Sequence, residues 1–231
     1  MSHPEIQYEI VRSPRRRTAS IKVEPGQVRV LVPAWVGDDW VAGWVQQKQL
    51  WIQQRQQQIA EQIDCHQIRI VQGADLPYLD ETLTLSWSEG GRTHLAKTGD
   101  QLSICLSRRG SRAPALRVEA LVKSWYEAQA QIYLSERLNH WQQQMDLEAS
   151  ALKVKGFRRR WGSCDSRGGI VLNWRLILTP SELIDYVVVH ELAHLVHFNH
   201  SKNFWALVKR YIPDYPVLKQ ALQQRHVLLC F

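Results

Sequence analysis

The chain has no CxxC pair. Its four cysteines, Cys65, Cys105, Cys164 and Cys230, stand far apart, which excludes a zinc ribbon and gives no sign of a secreted disulfide framework. Methionine is almost missing, with only Met1 and Met145. No apolar run is long enough to span a bilayer: the best candidate, "LIDYVVVHELAHLVHF", is broken by Asp185, His190, Glu191 and His194. The opening "MSHPEIQYEI" lacks a basic stretch followed by an apolar one, so no signal peptide is expected and the chain reads as soluble and cytoplasmic, with no membrane partner. Internal repeats are absent as well.

What is present is a globular composition. Hydrophobic residues make up 45% and charged residues 22% of 231 positions, which excludes a disordered chain and leaves room for one large domain or two small ones. The net charge of +7 favours anionic partners such as nucleic acid or acidic substrates. Three basic runs, Arg15–Arg17, Arg108–Arg109 and Arg158–Arg160, offer weak anion or nucleic-acid contacts beside a more ordinary role as solvated faces.

The first 110 residues read mostly as strands. "ASIKVEPGQVRVLVPA" alternates apolar and polar residues around Glu24-Pro25-Gly26-Gln27, a hairpin with type II turn chemistry. "DDWVAGWVQQKQLWIQQRQQQIAEQI" reads as one helix capped by Asp38 or Asp39, with Trp40, Trp44, Trp51, Ile52, Ile59 and Ile63 at helical spacing. "HQIRIV", "TLTLSW" and "QLSICLS" follow as strands, the last after a turn at Gly99-Asp100. "RRGSRAP" is a linker, and the next 32 residues form a long amphipathic helix carrying Leu121, Trp125, Ile132, Leu138 and Trp141. Two strand-like pieces, "ALKVKGFRR" and "GGIVLNWRLIL", flank the loop "WGSCDSRG", and helices close the chain. The expected class is α+β, with a β-rich region holding one helix over 1–110 and a helical domain with a small sheet over 111–231.

The chemistry concentrates in "HELAHLVHFNH", residues 190–200. "TPSE" announces its helix: Thr179 as N-cap, Pro180 at the first helical position, Glu182 closing a capping box, and an expected end near Phe198. His190 and His194 are then one turn apart on one face, and Glu191 projects about 100° around the axis, beside a shared ion without competing for it. This is the H-E-x-x-H arrangement, in which two imidazoles bind Zn²⁺ and the carboxylate acts as general base on a zinc-activated water. The alternative is a pair of core histidines satisfied by hydrogen bonds.

A catalytic zinc takes three protein ligands and keeps one position open. His197 is about 10.5 Å along the helix from His190, too far to close a tetrahedron. His200 reaches the ion only if the chain reverses, and Asn199 as a left-handed terminator with Ser201 capping "KNFWALVKRYI" supplies that reversal. The expected ligands are His190, His194 and His200, with His197 outside them and Phe204 and Trp205 packing the turn onto the core. The spacing equals that of the metzincins, with His197 in the glycine place. No methionine follows Met145, so the Met-turn of a metzincin is missing.

"RRWGSC", "GGIVLNWRLIL" and "IDYVVVHELAHLVHFNHSKNFW" together resemble the YgjP-like metallopeptidase family, related to the SprT-like zinc proteases. The specific part covers roughly residues 155–205, and the hairpin near residue 28 and the "LWIQQR" helix are weaker echoes. The resemblance implies a zincin-like domain and a zinc-dependent hydrolase of polypeptides with the three histidines and Glu191 in the roles above. Some relatives are labelled nucleotide pyrophosphatases, and the SprT-like ones act on DNA-bound proteins, often with a C-terminal zinc ribbon that has no counterpart here.

Substrate contacts are expected from Trp161, Ser163, Arg158, Asn173 and Tyr211, with "GGIVLNWRLIL" as an edge strand for an extended substrate. Tyr211, Tyr186, His197 and Arg158 are candidate donors to the developing oxyanion. Two other functions remain: a metal-dependent hydrolase of nucleotide phosphoanhydrides using the same zinc, and a basic nucleic-acid-binding protein with structural zinc. Against the last stand Glu191 and the missing fourth ligand.

Overall fold

The computed structural model describes residues 6–24, 26–66 and 68–230. Pro25 of the expected turn, Gln67 and the side chain of Ile63 lie outside the described residues. The chain is α+β and divides into two compact units, Met1–His66 and Gln67–Phe231.

The first unit contains β1 (Glu9–Ser13), β2 (Ser20–Glu24), β3 (Gln27–Pro33), α1 (Asp38–Gln47) and α2 (Gln49–His66). The expected hairpin is present: β2 and β3 are antiparallel from Glu24 beside Gln27 to Ser20 beside Leu31. Gly26, at φ +70°, takes the left-handed turn position. β1 joins the other edge of β3 in parallel. Val28, Val30 and Val32 point from one face of β3 into a core completed by Val41, Val45 and Ile52. The single expected helix is two, broken at Lys48, whose N–H is shared between the Trp44 and Val45 carbonyls. Asp38 and Asp39 are not caps: Gly37 holds that position without a side chain, and Asp38 instead pairs with Arg12.

The second unit opens with β4 (Asp75–Tyr78), β5 (Glu81–Gly90), β6 (His94–Thr98) and β7 (Gln101–Ser107), in spatial order β4-β5-β7-β6. The expected strand "HQIRIV" is not formed, since residues 68–70 have no regular structure. Leu83, Leu85, Leu102, Ile104 and Leu106 share one buried cluster with the helix α3 (Pro114–Met145), so residue 110 falls inside this unit. The fully buried line of α3 is Val118, Val122, Tyr126, Ala130, Leu134 and Leu138, and of the expected stripe Leu138 belongs to it while Leu121, Trp125 and Trp141 pack at its side, half-buried. Of the expected residues, Ile132 instead faces out and is 56% exposed.

Next come β8 (Ala151–Lys155), β9 (Gly162–Cys164) and β10 (Gly169–Asn173). Their order is β8-β10-β9, so the expected edge strand "GGIVL" is the centre of its sheet and β9 is an edge. "WRLIL" is a 3-10 turn, not strand: the Asn173 side chain accepts the Arg175 N–H at 3.2 Å and diverts the backbone from the ladder.

Three helices complete the unit: α4 (Ser181–Ala193), α5 (Lys202–Tyr211) and α6 (Tyr215–Gln224). Thr179 does not cap α4, because its hydroxyl donates to the Leu176 carbonyl at 2.8 Å. The Ser181 N–H is taken by Asp80 at 3.1 Å, from the turn between β4 and β5, and no capping box forms at Glu182. On the side of α4 facing α3, Asp185 accepts two hydrogen bonds from Arg137, at 2.6 and 2.9 Å, and one from the Trp141 indole. These charge-assisted bonds fix the rotation of α4 about its axis. Among the described residues no helix is long and apolar enough to cross a membrane.

Candidate metal centre

α4 ends earlier than its sequence suggests. Its last residue is Ala193, with His194 as the C-cap, and the chain leaves through tight turns from Leu195, Val196 and His197 back to Leu192 and Ala193. Asn199 does not take the left-handed conformation, since Leu79 and Asp146 are the non-glycine residues with positive φ among those described. Ser201 caps α5 as expected, its hydroxyl accepting the Phe204 N–H at 3.3 Å.

This path brings His190, His194 and His200 together, with one nitrogen of each lying within 4.8 Å of the others. The Nε2 atoms of His190 and His200 are 3.1 Å apart. Nitrogens bound at about 2.0–2.1 Å to one tetrahedral cation would be about 3.3 Å apart. His194 Nδ1 lies 3.1 Å from the His197 carbonyl. A carbonyl only accepts, so Nδ1 carries the hydrogen and Nε2 keeps its lone pair for a metal. His197 thus contributes its backbone, not its ring. Burial, with repulsion from His194, His200 and Lys219, pushes His190 down to about 3. Burial also lowers His194, so both rings stay neutral, the form that ligates. Three imidazole donors, with no fourth His, Cys, Asp or Glu in the group among the described residues, fit a catalytic cation.

The floor of this cluster is Phe204. It is fully buried, and its ring centroid stands 4.9, 4.7 and 4.7 Å from those of His190, His194 and His200. Trp205 stacks on His200 at 5.5 Å and on Tyr215 at 5.0 Å, and Lys219 lies over its indole. Apart from Phe204 and Trp205, whose packing role follows from the cap at Ser201, sequence reasoning missed this wall. Tyr215 and Lys219 lie on a separate helix, and no local motif marks them.

Glu191 is 6% exposed. Burial pushes its carboxyl up to about 8, against the opposing pull of Arg160. Its carboxylate lies against Gly162, the first residue of β9: a Cβ there would stand 2.6 Å from Oε1. In the sequence Gly162 stands only within the loop "WGSCDSRG"; the signal that could have found it is a glycine where backbone must meet a buried carboxylate.

The remaining expected site residues divide between β9 with its preceding loop and more distant packing positions. Ser163 sits on β9 beside Val171, and Trp161 is buried in the core. Arg158 is exposed on the loop before β9. Asn173 is buried, and both hydrogens of its amide are committed to the Phe157 and Arg160 carbonyls at 2.9 Å. Tyr211 packs edge-on against Trp141. Tyr186 instead meets His190 edge-on at 5.9 Å, and burial with neighbouring Tyr215 and Glu191 pushes its phenol up to about 12.

The family described as YgjP-like, metallopeptidase domain, matches residues 17–225. Among solved structures, the metallopeptidase zymogen abylysin of Pyrococcus abyssi is 19% identical, with a TM-score of 0.37 over 40% of this chain and 93% of that one. The zymogen jannalysin of Methanocaldococcus jannaschii is 18% identical, with a TM-score of 0.37 over 40% of this chain and 95% of that one. No curated protein matches the chain. With the family match running through nearly the whole sequence and across the three-histidine cluster, the chain belongs to the YgjP-like metallopeptidases.

Proposed function

We propose that this metallopeptidase uses zinc, held by His190, His194 and His200, and that Glu191 is its general base. The observation that carries the reading is the cluster itself: three imidazole nitrogens within 4.8 Å, with a buried carboxylate on the residue after the first. Zinc, when bound, supplies Lewis-acid polarisation of the scissile carbonyl and of a water molecule. Glu191 accepts the proton of that water at a carboxylate oxygen and delivers it to the leaving amine, so no covalent link to the enzyme forms. Burial by itself favours the protonated carboxyl, and the positive charge of a bound cation next to it would favour the carboxylate that a base needs. Tyr186 keeps its phenolic hydrogen over the same range, and its hydroxyl is the donor proposed for the developing oxyanion. An extended substrate is proposed to pair with β9, the sheet edge that meets Glu191 at Gly162.

The test is a parallel assay of the zinc-loaded chain on unfolded polypeptides and on nucleoside triphosphates. Peptide products that disappear on chelation support the reading; release of pyrophosphate or phosphate with no peptide cleavage replaces it with the phosphoanhydride alternative. A second expectation concerns the seat of the base. Gly162→Ala pushes a methyl group into the Glu191 carboxylate, and displacing a catalytic group by about 1 Å costs up to roughly a hundredfold in rate. Steady-state kinetics are expected to show kcat reduced at least about tenfold with zinc content unchanged. A variant with normal kcat removes Gly162 from the mechanism.

A further inference from the structure

Resting on the peptidase reading above, we infer that the loop Phe157–Arg160, with the sheet around it, is a cationic rim that selects acidic polypeptide segments for cleavage. Residues 153–175 contain seven Lys or Arg (Lys153, Lys155, Arg158, Arg159, Arg160, Arg167 and Arg175) against one acid, Asp165. This tenth of the chain therefore carries six of its net seven positive charges. The Asp165 carboxylate accepts the N–H groups of Arg167 and Gly169 at 2.8 and 3.0 Å, and its charge acts on Arg167 and Lys153 rather than on the three arginines of the loop. Among the described residues, Arg158, Arg159 and Arg160 form no ion pair.

The loop is built rather than loose. The buried Asn173 amide clamps both its ends, through the Phe157 and Arg160 carbonyls. The Arg160 guanidinium is supported 4.4 Å above the Phe157 ring. Two residues beyond Arg160 the chain reaches Gly162, where it touches the Glu191 carboxylate and becomes the edge strand β9. An extended substrate on that edge advances about 3.3 Å per residue, so its positions within two or three residues of the scissile bond pass the arginines. Fixed cations beside a sheltered edge select anionic side chains and accelerate their encounter. Membership of a metallopeptidase family and the free edge of β9 favour a polypeptide over a nucleic acid as the anion.

The experiment uses the full, zinc-loaded chain on a proteome-derived peptide library, with cleavage sites read by mass spectrometry. Asp and Glu are expected to be enriched within three residues of the cut, and the enrichment to fade as salt is raised. Arg158→Glu/Arg159→Glu is expected to abolish or invert the preference while zinc content and melting temperature stay put. A second arm measures fluorescence anisotropy of zinc-loaded Glu191→Gln with a Glu-rich peptide, a Lys-rich peptide and a single-stranded oligonucleotide. The Glu-rich peptide is expected to bind tightest and to lose roughly tenfold in affinity when both arginines are reversed. No acidic enrichment, or enrichment unchanged in the double variant, overturns the rim. An oligonucleotide that binds tighter than the acidic peptide overturns the choice of polypeptide. If the library is left uncut, it is the peptidase reading that fails, and the anisotropy arm alone then decides on the rim.

Discussion

Glu191→Gln is expected to bind zinc as the parent chain does and to turn over at least a hundredfold, and up to about ten-thousandfold, more slowly. That range corresponds to about 3–5 kcal/mol of lost transition-state stabilisation. The amide has nearly the volume of the carboxyl, so its packing against Gly162 survives, but it accepts no proton from an attacking water. Glu191 lies outside the three-nitrogen cluster, so the cation loses no ligand. Folding is expected to hold or improve, because a buried carboxyl that resists ionisation becomes a neutral group. Metal content by atomic absorption, melting temperature and kcat on one cleaved polypeptide together decide the matter. Wild-type turnover in this variant removes Glu191 from the chemistry; loss of metal moves it into the coordination sphere.

His200→Ala is expected to produce the largest change in metal binding. Structural zinc sites are worth about 10–16 kcal/mol over four ligands, so a single ligand carries about 3–4 kcal/mol, or roughly a hundred- to thousandfold in affinity. His200 is exposed and lies past the end of α4, so the truncation leaves no cavity in the core and the fold tolerates it. His197→Ala is the control. Its backbone carbonyl, which orients His194, remains after truncation, so zinc affinity is expected to stay within a few-fold. Competition titrations against a chelator of known affinity measure both. Equal affinities for the two variants strip His200 of its assigned place and leave the cluster short of a third protein donor.

Legibility followed the range over which each feature is determined. The pairing of His190 with His194, the cap at Ser201 and the β2–β3 hairpin are all set within a few residues, and spacing or turn chemistry displays them. The path from His194 to His200 was read correctly in its outcome but not in its means: the helix stops at Ala193 through tight right-handed turns rather than at a left-handed Asn199. Long-range features were not legible. Thr179 resembles a cap by type, yet Asp80 does the capping from another element. Asn173 looks like a polar strand residue facing substrate, yet its amide is spent on holding the arginine loop. β9 is only three residues long and reads as loop, because its strand character comes entirely from pairing with β10. The centre of α3's buried face was not displayed for a related reason: Tyr126 and Ala130 do not stand out by hydrophobicity, and Tyr126 is buried with its hydroxyl donating to the Pro77 carbonyl.

The bond from Asp80 to the start of α4 has a mechanical consequence. A helix is nearly rigid along its axis, and His190 stands nine residues, or about 13 Å, from Ser181. Asp80 follows Leu79, which holds the left-handed φ of 55° and donates its own N–H to the Ile177 carbonyl at 2.8 Å. That small turn and the two histidines thus stand at opposite ends of one stiff rod. The position of that turn therefore helps to fix where along its axis α4 presents His190 and His194.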